Sequence, residues 1–543
     1  MKKGLVAAVA GLGGLLLVTS IVLGWYGFPA LVQQQIKHGV SLRNGSQAFE
    51  RWQKLPQPMH FKVYLWNVTN PEAVSQGGRP ILEEVGPYHY DEYREKIDIQ
   101  DYPEDETVSY RQRNTYFFNQ GKSGNWSEDD VVTVLNVALL ATALKVKTIL
   151  PFALPIMNRV VPEIFPNSST IFMTVPVRDL LFDGVIVIDC RSNNLTDTAR
   201  MVCDQAESQM PITVRKVEEG VFKFSMFHHK NGSTDGVFRV YRGLSSARDL
   251  GRISQWNGKP LLNKWSNVSC NRINGTDSTV FPPFLTEEDR IYIFTTDLCR
   301  SMYAEYEKDV DIQGVPALRF VGSNNLLKSG SNYPDNACYC NGKCLKDGAM
   351  DLTKCIDAPM IMSLPHFYLA DPEYQSYPSG IHPDKEKHET FIEIEPKTGT
   401  PLRGGKRMQL NMFMTQIPEL SMLDHVSEGL FPLLWLEEGI ELDKEHLALV
   451  QAVYIKLGTL DAVKWALLAA SIIIILIAVG LLSVLKHLCC SQHLSRRITT
   501  STTALPTKNL SITTIDGIVN GGDNAIPVQT FPPPVDGPIK RYS

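Results

Sequence analysis

WALLAASIIIILIAVGLLSVL (465–485) is the stretch on which the architecture turns. It carries no charge between Lys464 and Lys486, and at about 1.5 Å per residue a helix of this length crosses the roughly 30 Å hydrocarbon core of a bilayer. The block of four isoleucines leaves no wet face, which argues against a helix on a soluble core. Working back to the start of the chain, MKKGLVAAVAGLGGLLLVTSIVLGWYGFPALVQQQIK (1–37) is uncharged from Gly4 through Ile36. A cleaved signal peptide is the rival reading, but its apolar core would run only about 7–15 residues before a small-residue cleavage site. Lys2 and Lys3 precede the first run, and Lys486, Arg496 and Arg497 follow the second. Basic residues stay in the cytosol, so both ends belong there. The expected division is a cytosolic end (1–4), a membrane helix (5–32), an extracellular domain (33–463), a second membrane helix (464–486) and a disordered cytosolic tail (487–543).

The middle section supports this topology. Sequons at Asn44, Asn67, Asn125, Asn167, Asn194, Asn231, Asn267 and Asn274 all fall between the two runs, with one more at Asn509 in the tail. Attached glycans require an exposed lumenal or extracellular surface. Cys190, Cys203, Cys270, Cys299, Cys338, Cys340, Cys344 and Cys355 lie in the same section, an even count in an oxidising compartment, which favours four disulfides over zinc or redox chemistry. Spacing alone leaves about 105 pairings open. Cys489 and Cys490, at the inner membrane edge, are candidates for palmitoylation.

HFKVYLWNV (60–68), VFKFSMF (221–227) and KRMQLNMFM (406–414) alternate with period two, as strands with one apolar and one wetter face do. The last aligns Met408, Leu410, Met412 and Met414 against Arg407, Gln409 and Asn411. The Gly-Pro of EEVGPYHY (83–90) reads as a turn or as part of an extended edge segment. EDDVVTVLNVALLATALKVK (128–147), acidic at its start and basic at its end, reads as one helix, and DKEHLALVQAVYIKLGTL (443–460) as another leading into the membrane. The first is apolar over more than one stripe. It is either a buried core helix or, with ILPFALPIMNRVVPEIF (149–165), a helical cap whose surface receives a partner or ligand.

A net charge of -5 makes no case for nucleic acid in a chain of 543 residues. Neither G-x-S-x-G nor a Walker loop is present, and KHET (387–390) lacks the second histidine of H-E-x-x-H. No enzyme and no cofactor are expected.

Two spans around a sequon-rich, cysteine-bearing domain are joined by local matches: WNVTNPE (66–72), EEVGPYHY, VVTVLN (131–136), IMSLPHF (361–367), HPDKEKHETFIEIEP (382–396) and FPLLWLEEG (431–439). With these the chain resembles the CD36 family of scavenger receptors. RQRNTYFFN (111–119), FHHKNGS (227–233), CNRINGTDSTVFPPF (270–284), IYIFTTDLCRSMYAEYEKDV (291–310) and PDNACYC (334–340) look most like its insect sensory neuron membrane protein branch. The resemblance implies a mixed α+β ectodomain, a distorted antiparallel β-barrel with an apical helical bundle and an apolar tunnel. It implies the pairs Cys270–Cys338, Cys299–Cys355 and Cys340–Cys344, and the leftover even count then pairs Cys190 with Cys203.

It also implies a function without chemistry: capture of an apolar lipid or pheromone from an extracellular odorant carrier protein and passage towards the membrane or a neighbouring odorant receptor. Leu139, Leu140, Lys145, Lys147 and Arg159 are the expected apical contacts, and Met408, Leu410, Met412 and Met414 the expected tunnel lining. The family's basic apex is reduced here, with no Lys or Arg between Arg159 and Arg178. A general scavenger or lipid-uptake receptor, and an adhesion protein without lipid transfer, are the alternatives.

Overall fold

The computed structural model describes residues 2–166, 168–206 and 210–499. The sequon at Asn167 and the tail beyond residue 499 lie outside the described residues, as do the side chains of Cys489 and Cys490. The described chain falls into two compact units, a small one drawn from residues up to Leu16 and from Ala470 onward, and a large one, Leu17–Ala469.

Helices Lys2–Val22 and Lys444–Thr499 supply the small unit. Leu5, Leu15 and Leu476 are 68%, 65% and 63% exposed. Apolar helices open on all sides suit lipid as their solvent. A Cβ on Gly13 would stand 2.9 Å from Ile475 Cγ1, so the missing side chain lets the helices touch. Long apolar helices near both ends make this a membrane protein with both termini on the cytosolic side. In the large unit, Trp25 meets Trp465 edge to face, with Lys464 over both rings. Such amphipathic side chains belong at a membrane–water boundary.

The large unit is organised by a 13-stranded antiparallel sheet. Its main path runs Ile253–Trp256, Thr234–Tyr241, Thr107–Phe118, Leu82–Tyr102, Met59–Val68, Gly429–Glu441, Thr400–Met414, Phe391–Glu395, Val315–Gly322, Arg300–Ile312 and Ile291–Thr295. The barrel expectation is met only in part. The two end strands do not pair with each other; Gly275 accepts from Ile253 N and Thr276 from Phe294 N, a bridge rather than a closed ladder.

One detail of the strands differs from expectation, and one reading left open is decided. The 406–414 segment lies within Thr400–Met414, but the side opposite the methionines is not wet: Gln409 and Asn411 are fully buried. Strand Ile361–Ser363 pairs along 409–411, and the two amides are satisfied by one another, by Ser363 Oγ and by Ile361 O. Gly86-Pro87 does not turn the chain. It sits inside Leu82–Tyr102 at a bulge opposite Tyr64, ahead of the pairing with Thr107–Phe118 that begins at Tyr90, so proline occupies a local edge.

The segment 128–147 is a larger correction. Val131–Leu135 is a strand paired with Phe172–Pro176, and the helix is only Val137–Ile149. The β-branched run Val131, Val132, Thr133, Val134 prefers extended backbone, and Asn136 then stops the strand by capping the helix, its Oδ1 accepting from Leu139 N at 3.1 Å. Leu154–Ile164 continues the helical layer, and Lys444–Thr499 begins with Asp443 accepting from His446 N.

Four disulfides occur in the large unit, Cys190–Cys203, Cys270–Cys338, Cys299–Cys355 and Cys340–Cys344, with sequence separations of 13, 68, 56 and 4.

Candidate functional site

Alternation along Thr400–Met414 projects Lys406, Met408, Leu410 and Met412 to one side, and all four line a cavity of about 690 Å³ in the large unit. That volume suits a small lipid or drug-sized ligand. Leu436, opposite Met408 in the neighbouring strand, and Phe224, Met226 and Phe227 extend the apolar wall. Val137, Ala141 and Val146 add one flank of the Val137–Ile149 helix. Lys147 Nζ donates to Gln416 O at 3.1 Å, so the C-terminal turn of this helix lies beside the end of the methionine strand. The outer lining includes Ile149, Leu150, Ile212 and Ile356, which are 61%, 46%, 71% and 42% exposed. Lys145 pairs with Asp357 at 3.0 Å among them. An apolar rim of this size is the kind of surface soluble domains reserve for a ligand or partner.

Cys299–Cys355 helps to hold the wall: Leu298 and Ile356, each next to one of these cysteines in sequence, both face the cavity. The bond fixes two segments that no continuous sheet ladder joins.

At the other end of the methionine strand the lining turns charged. Lys406 bonds Glu438 at 3.0 Å, Arg94 bonds Glu92 at 2.8 Å and also reaches Glu438, and Lys230 pairs with Asp297. Behind them Lys96 pairs with Asp277 at 3.2 Å. Burial opposes the charge on Asp297, yet Lys230 and Lys406 beside it hold its carboxyl down to about 2. Burial and the nearby Lys230 bring His229 down to about 4, leaving its imidazole neutral at pH 7. Burial lowers Lys406 and raises Asp235.

The residues expected at the site are distributed unevenly. Met408, Leu410, Met412 and Lys145 reach the cavity wall, whereas Met414 is packed in the core. Leu139 and Leu140 are completely buried and pack into the core rather than the cavity. Arg159 turns back onto Pro155 O. Sequence reading passed over Arg94, Lys230, Asp235, Asp297 and Glu438. One signal was available, because Lys406 shares the parity of Met408, Leu410 and Met412. Among the described sequons, Asn44, Asn125, Asn194, Asn231, Asn267 and Asn274 are exposed; Asn67 is half-buried, its Oδ1 accepting from Thr133 N.

Comparison with known proteins places these features in context. The model of the CD36 family matches residues 11–482. Sensory neuron membrane protein 2 of Heliothis virescens is 40% identical to this chain, the match covering 85% of this chain and 90% of the relative. Sensory neuron membrane protein 2 of Anopheles gambiae is 33% identical, covering 94% and 98%. Sensory neuron membrane protein 1 of Apis mellifera is 35% identical, covering 84% and 86%.

Proposed function

The chain belongs to the CD36 family, and from that premise we propose that it is a cell-surface lipid receptor whose ectodomain takes a long apolar ligand into the cavity and passes it towards the bilayer. As a member of this family it is a non-catalytic receptor. The observation that carries the transfer reading is the continuous apolar wall of Met408, Leu410, Met412 and Leu436, reached past the exposed rim at Ile149 and Leu150. Leaving an alkyl chain in water is unfavourable by roughly 0.8 kcal/mol per methylene, so a covered route lowers the barrier to delivery without any reaction. Lys145 is the polar contact at the rim, and thioethers let the wall adapt to varied chains. Glycans on the exposed asparagines and acyl groups on Cys489 and Cys490 complete the proposed surface receptor.

A narrower reading, favoured by the relatives being sensory neuron membrane proteins, is a pheromone coreceptor on the dendrite or cilium of a sensory neuron. There it would receive ligand from an odorant carrier and deliver it to an odorant receptor. Native mass spectrometry of the delipidated full-length protein with hexadecanol, followed by transfer of a fluorescent fatty alcohol to vesicles, tests the general reading. Absence of both binding and transfer in a folded sample leaves the adhesion alternative. Expression restricted to gut or fat tissue would remove the sensory one.

A further inference from the structure

Four lysine and arginine side chains are buried among the described residues: Arg94, Lys96, Arg242 and Arg300. Three of them reach a carboxylate, Arg94 on Glu92 at 2.8 Å, Lys96 on Asp277 at 3.2 Å and Arg242 on Asp101 at 3.3 Å. Arg300, 5% exposed at the start of strand Arg300–Ile312, has uncharged partners instead. Its Nη1 donates to Leu326 O at 2.9 Å and to Met350 Sδ at 3.7 Å, its Nη2 donates to Asn336 Oδ1 at 2.9 Å, and its guanidinium lies 3.8 Å from the centre of the Tyr339 ring. Nε makes no hydrogen bond within the protein. Burial lowers the pKa of Arg300, but a guanidinium keeps its proton even so. Burial also raises the Tyr339 phenol, so the ring beside it stays neutral. Among the described residues this positive charge therefore has no carboxylate at ion-pair distance, an arrangement that is costly unless something compensates it.

The same side chain lines a small cavity of about 30 Å³ that shares no residue with the large one. Its walls come from the segments 326–330 and 339–345, the second of them closed into a tight loop by Cys340–Cys344. Gly330 lets the chain come this close, since a Cβ there would stand 2.6 Å from Ala337 Cα and 2.8 Å from Cys340 Sγ. Lys328 and Lys343, both exposed, line the cavity with Arg300. Asp351 is the carboxylate of the lining, and its two oxygens already accept from Thr353 N at 2.8 Å and Asn341 Nδ2 at 3.3 Å. Three cations against one carboxylate leave the lining positive. The volume admits a water or a monatomic ion but not a phosphate or a lipid headgroup. Chloride is the abundant ion of that kind in extracellular fluid. We propose that this cavity is a chloride site: the ion accepts from the free Nε–H of Arg300, supplies the counter-charge that no carboxylate provides there, and ties the segments 326–330 and 339–345 to the strand that follows Cys299. The site is independent of the passage of any apolar ligand.

Two measurements on the full-length protein in detergent test the site. Thermal melts in sodium chloride, sodium bromide and sodium gluconate at equal ionic strength are expected to show a rise specific to the halides, about 2 °C for each tenfold increase in halide above its Kd. Crystals grown in bromide are expected to give an anomalous peak within hydrogen-bonding distance of Arg300 Nε. Lys343→Gln, an exposed change, is expected to weaken halide binding about threefold, and Arg300→Gln to abolish the halide dependence. Melting that does not distinguish halide from gluconate, a water in place of bromide beside Nε, or an unchanged halide dependence in a folded Arg300→Gln protein overturns the proposal. A bromide peak without halide-dependent melting marks an adventitious ion only and overturns it as well. Where Arg300→Gln does not fold, the wild-type melts and the bromide peak decide.

Discussion

Leu410→Trp is the perturbation that bears most directly on ligand passage. Leu410 lies in the cavity wall between Met412 and Met408. An indole at this position would obstruct a chain arriving from the Met412 side and deny it the stretch from Leu410 to Lys406, roughly 14 Å of strand. If only four methylenes lose cover, the loss at ~0.8 kcal/mol each is about 3 kcal/mol, more than a hundredfold in Kd. The effect has a signature beyond weaker binding. In the wild-type protein, each methylene added to a series of straight-chain alcohols is expected to tighten binding about fourfold until the wall is filled; in Leu410→Trp the series levels off at shorter chains, with short-chain affinity kept. Competition against a fluorescent fatty alcohol supplies the affinities, and a thermal melt establishes that the variant is folded. A folded Leu410→Trp protein with the wild-type chain-length profile would refute the assignment of this wall to the ligand's tail.

Three further outcomes are expected. Removing the Cys270–Cys338 pair with serines should destabilise the ectodomain by about 4.4 kcal/mol on chain-entropy grounds and removing Cys340–Cys344 by about 1.9 kcal/mol, from separations of 68 and 4; surface expression should follow that order, and equal losses would count against it. His89 and His388, both buried, are brought down to about 4, mainly by burial, with Lys122 and His366 respectively adding to it. Because the unfolded chain protonates them near 6.5 and the folded chain only near 4, their stabilisation is complete above 6.5 and falls away between 6.5 and 4. Glu128, Asp235 and Glu389, raised by burial, act in the opposite sense as pH falls. The midpoint of thermal unfolding should drop across that interval, and His388→Gln, if it folds, should flatten the dependence. Asn136→Ala should lower stability by about 1 kcal/mol through loss of the helix cap, read as a fall in melting temperature.

Membrane anchorage was legible in the sequence because a charge-free run long enough to cross a bilayer has few other stable uses. Strands were legible wherever alternation survived, as in 60–68 and 406–414. The 128–147 segment was misread because apolarity spread over more than one stripe gives no clear period, so the decision passed to the β-branched residues and to Asn136. Gln409 and Asn411 misled for a different reason: polarity marks a wet face only when no second layer covers it, and strand Ile361–Ser363 does cover it.

The sequence by itself determined where the chain meets lipid, which compartment its cysteines occupy and which strand carries the methionines. These are properties of contiguous residues, where hydropathy and spacing act locally. Tertiary structure decided that Lys406, Lys230, Arg94, Asp235 and Asp297 share one end of a cavity, although Arg94 and Lys406 lie far apart along the chain. It also decided that Leu139 and Leu140 are core while their helical neighbours Ala141 and Lys145 line the cavity. Charge compensation and enclosure depend on distances between distant segments, which sheet pairing sets and local sequence does not encode.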